Sequence, residues 1–105
     1  TNKDEMIKLI INHKKELTDI DVRSLLGNAP NIYETAKLVI NHKKELTNKN
    51  MDHLFLFAPN ENEMAKLIIN HKKELTDDNV KDLIKYTTDK DEIKRALREK
   101  GINVD

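Results

Sequence analysis

The sequence predicts an all-α fold in which three helical hairpins stack in register and one further helix closes the stack. The octapeptide Ile-Asn-His-Lys-Lys-Glu-Leu-Thr occurs at 11–18, 40–47 and 69–76, so each copy begins 29 residues after the one before it. A strict period of this length is typical of stacked repeats rather than of one irregular core. The single domain therefore divides into repeat 1 (2–30), repeat 2 (31–59), repeat 3 (60–88) and a C-terminal capping helix (89–105).

Capping residues predict where the first helix of each unit begins. An asparagine or aspartate occurs at the same position of every unit, and a glutamate follows it three residues later, which is the pattern of a capping box. The four pairs are Asn2 and Glu5, Asn31 and Glu34, Asn60 and Glu63, and Asp89 and Glu92. In the three repeats, the apolar spacing after the cap predicts a helix of about four turns that ends at the Leu-Thr pair.

A second, shorter helix is predicted to begin at the threonine that ends each octapeptide. Thr18, Thr47 and Thr76 are each followed, at the third position, by an aspartate or asparagine. This is a weaker capping box than the first one, because the third residue is not a glutamate. Apolar residues then recur with helical spacing, so each repeat is a helix–turn–helix hairpin with short connections.

The last predicted helix carries charge where the repeats are apolar. Lys94 stands at the register position of Ile7, and Arg98 at that of Ile11. We expect these positions to face a following repeat, so charge there would end the stack in water. Gly101 is well placed to terminate the helix. Repeat 1 shows no such change, so either its exposed side is a different face or a preceding cap is missing.

This architecture resembles the α-solenoids that are built from helical hairpins, such as tetratricopeptide, ankyrin and HEAT arrays. The resemblance covers the whole chain, although the period is shorter and the sequence has neither the Trp/Gly/Tyr pattern of tetratricopeptides nor the Thr-Pro-Leu-His of ankyrins. It implies a right-handed α-solenoid that serves as a binding scaffold.

Composition narrows the classes of partner. The 105 residues carry 19 basic and 19 acidic side chains, so the chain lacks the net charge that attracts basic proteins to nucleic acid or anionic membranes. No cysteine is present, which excludes disulfides and thiolate metal sites. Since the sequence has no signal-peptide pattern, no Asn-X-Ser/Thr site and no apolar run near the roughly 20 residues that span a bilayer, we expect an intracellular, cytoplasmic monomer.

The second helix of repeat 2 departs from the register and indicates a contact site. Leu56 and Phe57 stand where repeat 1 has Gly27 and Asn28, and helical geometry turns both away from the apolar stripe. An apolar pair on a polar helix surface is typical of a protein-binding site, with Tyr86 one repeat further along. The alternative is that the central repeat, flanked on both sides, buries more of this helix.

Paired lysines suggest an alternative partner. Lys15, Lys44 and Lys73, the outer lysines of the three octapeptides, would form a basic ladder that could follow the phosphates of RNA or DNA. Against this, each pair adjoins a glutamate, aromatic residues for base stacking are scarce, and lysines at a helix end also complement its dipole.

Catalysis and metal binding are not predicted. His13, His42 and His71 each precede a glutamate by three residues, a spacing that ligates metals in some bundles. Equivalent side chains of stacked units should lie about 10 Å apart, which is too far for metal–nitrogen bonds of about 2 Å. We expect instead that a ring nitrogen bonds a neighbouring loop carbonyl.

With one serine, no cysteine and two glycines, the chain lacks a nucleophilic or phosphate-binding constellation and implies no cofactor. The expected function is therefore a non-enzymatic scaffold for protein–protein interaction. A purely structural or engineered array is the remaining alternative.

Overall fold

The computed structural model describes residues 3–104, and within that range the chain forms seven α-helices and no strand. In chain order they are α1 (Lys3–His13), α2 (Asp19–Gly27), α3 (Ile32–His42), α4 (Asn48–Phe57), α5 (Glu61–His71), α6 (Asp77–Tyr86) and α7 (Lys90–Glu99). The prediction of an all-α fold is confirmed. The predicted first cap, Asn2, lies outside the described residues.

The predicted caps are present, but the complete capping boxes form at the threonines. The side chains of Asn31, Asn60 and Asp89 accept the amide of the glutamate three residues later, at 3.0–3.2 Å. At Thr18, Thr47 and Thr76 two reciprocal hydrogen bonds form. The threonine hydroxyl accepts the amide of the third residue, and the side chain of that aspartate or asparagine accepts the threonine amide. The shorter aspartate and asparagine side chains thus make the box that we expected to be the weaker one.

The first helix of each repeat is shorter than predicted. α1, α3 and α5 each have 11 residues, and they end at the histidine of the octapeptide, not at the leucine four residues later. The backbone of Lys43, which follows α3, is extended at φ −81° and ψ 131°. This extended connection lets Leu46 reach the core and gives Thr47 the non-helical dihedrals that an N-cap requires.

The helices form two layers. In one layer α1 contacts α3, α3 contacts α5 and α5 contacts α7; in the other, α2 contacts α4 and α4 contacts α6. Contacts of α2 with α3, α4 with α5, and α6 with α7 join the layers. The principal dimensions are 45 × 25 × 20 Å.

One core runs between the layers. Its fully buried side chains include Leu26, Met51, Leu54 and Ile68. Burying one such side chain contributes about 1.5–3 kcal/mol. This apolar burial supplies the stability that helices of 9–11 residues lack in isolation.

The C-terminal end of α7 is terminated as predicted. Gly101 has φ +95°, a conformation that residues with a Cβ rarely adopt. Its amide donates to the Arg98 carbonyl, and the Ile102 amide donates to the Leu97 carbonyl, both at 2.9 Å. These two bonds form a Schellman motif, which satisfies carbonyls that the end of a helix leaves unpaired.

Candidate functional site

The α4 surface carries a shallow cavity beside the end of α6, which we call the α4–α6 groove. Its volume is about 310 Å³, and it is lined by Asp52, His53, Phe55, Leu56, Glu61 and Tyr86. Leu56 is 65% exposed, so this large apolar side chain faces solvent. The structure therefore brings two of the three predicted protein-binding residues, Leu56 and Tyr86, to the same groove.

The aromatic wall of the groove is fixed by stacking. The Tyr86 ring lies on the Phe55 ring, with 5.0 Å between centroids and 16° between planes. Nζ of Lys85 lies 5.3 Å from the Tyr86 centroid, within the range of a cation–π contact. Because Phe55 is itself buried, Tyr86 is held as a pre-positioned apolar surface with a polar hydroxyl.

Phe57, the third predicted residue, packs towards the other side of α4. It is half-buried against the core. A Cβ atom placed on Gly27 of α2 would lie 3.5 Å from Cζ of Phe57. Phe57 thus lies beside Gly27, which occupies the register position of Leu56, and its partial burial fits the burial alternative raised from the sequence.

Sequence reasoning missed two polar groups near the groove. Among residues 3–104, Nδ1 of His53 and Oδ2 of Asp82 are buried without a hydrogen-bond partner. Burial raises the pKa of Asp82, and the negative charge of nearby Asp52 raises it further. His53 and Asp82 stand at the same register position, where repeat 1 has Ser24, and this change of residue type between copies was the signal that could have identified them.

The lysines of the octapeptides separate into two kinds. Lys15, Lys44 and Lys73 are exposed, as the proposed ladder requires, although they lie in connections rather than at helix ends. The preceding lysines of repeats 2 and 3 bond to the neighbouring repeat instead. Lys43 donates to the Leu17 carbonyl at 2.8 Å, and Lys72 donates to the Lys43 and Lys44 carbonyls at 2.5 and 2.7 Å.

Acidic side chains interrupt the lysine surface. A cavity of about 400 Å³ between the first two connections is lined by Lys15, Glu16, Leu17, His42, Lys43, Lys44 and Glu45. The two glutamates alternate with the lysines, so this surface does not present an unbroken positive field. Lys72 is only 8% exposed, and this burial lowers its pKa.

Two histidines of the octapeptides, His13 and His42, lie within hydrogen-bond distance of backbone carbonyls. Nε2 of His42 lies 2.8 Å from the Lys14 carbonyl oxygen in the preceding connection, which confirms the predicted bond. For His13 the prediction was wrong, because Nδ1 lies 3.0 Å from the Leu9 carbonyl of its own helix. Within residues 3–104, no group of three or more histidine, aspartate or glutamate side chains could hold a metal ion.

No protein-family model, curated protein or solved structure matches this chain. Of the helices between residues 3 and 104, none has both the length and the apolar character needed to cross a bilayer.

Proposed function

We propose that this chain is a short right-handed α-solenoid that acts as a non-enzymatic scaffold for protein–protein interaction. The repeated contact of each helix with the helix two places later supports the solenoid arrangement. Hydrogen bonds between neighbouring repeats also support it: the Asn50 side-chain amide donates to Asp19 at 2.9 Å, and that of Asn79 donates to the Leu46 carbonyl at 2.9 Å.

The observation that carries the binding proposal is the exposed Leu56 beside the stacked Tyr86. An apolar side chain next to a rigid aromatic ring is the type of surface at which a partner's side chain contributes much of the binding energy. Asp52 and Glu61 line the same groove and add negative charge. The partner that fits is a protein segment with one apolar anchor and a neighbouring lysine or arginine.

Affinity capture from cell lysate tests this proposal with a matched pair of variants. Leu56→Ser removes the apolar anchor, and Ile20→Ser makes the same change at a side chain that is 80% exposed on α2. Since both side chains are exposed, neither variant should unfold, which circular dichroism will check. We expect a captured protein to bind the wild type and Ile20→Ser, and to be lost with Leu56→Ser.

The captured protein must then bind the purified wild-type chain directly, in a titration followed by calorimetry. Equal capture by all three proteins, or the same loss with Ile20→Ser, would contradict a role for the groove. Binding that persists when salt is raised would also separate this contact from a mainly electrostatic one.

Nucleic-acid binding is the second candidate, favoured by the exposure of Lys15, Lys44 and Lys73. Three phosphate contacts to a single strand predict that log K falls against log salt with a slope of about −2. Anisotropy titrations with a labelled single-stranded oligonucleotide measure that slope. If the triple glutamine variant binds as tightly as the wild type, the ladder does not bind phosphates.

A further inference from the structure

The first helix carries an apolar surface that we call the N-terminal face. It consists of Met6, Leu9 and Ile10, which are 52%, 55% and 42% exposed. A cavity of about 300 Å³ adjoins it and extends to Leu25 of α2. Three large apolar side chains on one helix face form a contiguous patch of the kind that marks an interaction site.

In the later repeats, the positions equivalent to this face are covered by a neighbouring helix. The equivalents of Met6 are Thr35, Met64 and Ile93, and those of Ile10 are Val39, Ile68 and Leu97. All six are at most 1% exposed. The helices that carry them, α3, α5 and α7, each contact an earlier helix of the same layer, whereas α1 is the first helix of the described chain. This face is therefore the one that packs on a preceding hairpin.

The faces of α3 and α5 that contact a later helix show which side chains would pack against the N-terminal face. Ala36 and Ile40 in α3 are buried, as are Ala65 and Ile69 in α5, and both helices contact a later helix. The last helix breaks this pattern. At the same positions α7 has Lys94, which is half-buried, and Arg98, which is exposed. An alanine and an isoleucine four residues apart thus characterise the face that receives a following hairpin.

We propose that the N-terminal face is a docking surface for one further helical hairpin of this same repeat type. Its first helix would present an alanine or isoleucine and a second isoleucine, as α3 and α5 do. The proposal extends the interfaces that already join the repeats. It rests on the repeat register and not on the α4–α6 groove, so that either proposal can fail alone.

A second copy of the chain fits this surface less well. Head-to-tail stacking would place Lys94 and Arg98 against Met6 and Ile10, and burying unpaired charges against apolar side chains is costly. Two-fold pairing would bring the large side chains of two N-terminal faces together. It would lack the small alanine that Ala36 and Ala65 supply at the internal interfaces, where close packing requires complementary volumes.

The test adds a hairpin in register. Residues 31–59 are fused directly ahead of residue 2, which preserves the 29-residue period. The control fusion carries Ala36→Lys and Ile40→Arg in the added copy, which reproduces the charges that α7 has at these positions. A third fusion carries Met6→Lys and Ile10→Lys in the original α1. Hydrogen exchange of the α1 amides and the urea midpoint are measured for each and for the unfused chain.

We expect the first fusion to slow exchange in α1 at least about tenfold and to raise the urea midpoint, because docking suppresses local opening. Both charged fusions should exchange like the unfused chain. The proposal is overturned if the first fusion gives no protection, or if the control fusion gives equal protection. It is also overturned if sedimentation equilibrium shows the unfused chain to be a dimer that Met6→Lys dissociates, since a second copy would then be the occupant.

Discussion

Replacing Lys72 with methionine tests whether hydrogen bonds between neighbouring connections stabilise the fold. Nζ of Lys72 donates to two carbonyls, at 2.5 and 2.7 Å, and the residue is 8% exposed. Methionine retains most of the aliphatic stem, so the change mainly removes the ammonium group and leaves two carbonyls without that donor.

The magnitude follows from these contacts. A hydrogen bond that involves a charged group contributes about 1.5–3 kcal/mol. Two such bonds are offset by the cost of burying the ammonium, which the lowered pKa of Lys72 reflects. We therefore expect a net loss of about 2 kcal/mol in the free energy of unfolding. For a domain of this size the melting temperature should fall by about 8 °C.

Lys14 provides the matched control. It occupies the same position in repeat 1 but is exposed, and its Nζ pairs with Asp21 at 3.2 Å. Lys14→Met should cost at most about 0.5 kcal/mol, because exposed ion pairs contribute little. Thermal and urea unfolding followed by circular dichroism measure both variants. If the two substitutions cost the same, or if Lys72→Met stabilises the chain, then these bonds do not hold the repeats together.

Three further substitutions have defined outcomes in urea unfolding. Burial raises the pKa of Asp82 above its unfolded value, so the stability linked to this group is present below pH 3.8 and lost as pH rises through the folded pKa. Asp82→Asn should therefore add roughly 1 kcal/mol to the free energy of unfolding at neutral pH. An equal gain at low and neutral pH would contradict this cause. Gly101→Ala should cost about 1–2 kcal/mol because φ is +95°, and a neutral result would show that the turn relaxes. Thr47→Ala should cost about 1 kcal/mol by removing the N-cap of α4, with unchanged stability counting against the capping argument.

The helix starts could be predicted from the sequence because their causes are local. Asn31, Asn60 and Asp89 each bond an amide three residues away, and that contact depends on little else. The helix ends could not be predicted in the same way. The segment after His42 has no helix breaker, and it leaves the helix where Lys43 bonds the carbonyl of Leu17, 26 residues earlier.

In the groove, too, the sequence could predict only what depends on a single helix. The exposure of Leu56 followed from helical spacing within α4, so the sequence could indicate it. Phe57 packs beside Gly27 of another repeat, and Tyr86 of repeat 3 stacks on Phe55 of repeat 2. Contacts between repeats require the three-dimensional arrangement, and spacing along one helix does not reveal them.

The two ends of the stack differ, and this difference affects the order in which the helices should form. The α7 end is terminated by the Schellman motif at Gly101 and by charged side chains at the positions of Ile7 and Ile11. The α1 end leaves Met6 and Ile10 in solvent, so its helix gains less from packing. The main contacts of each helix are with helices one or two places away along the chain, so assembly can spread from one repeat to the next. Structure should then form first among the central and C-terminal helices and reach α1 last, so that α1 exchanges ordered and unravelled states while the remainder of the chain stays packed.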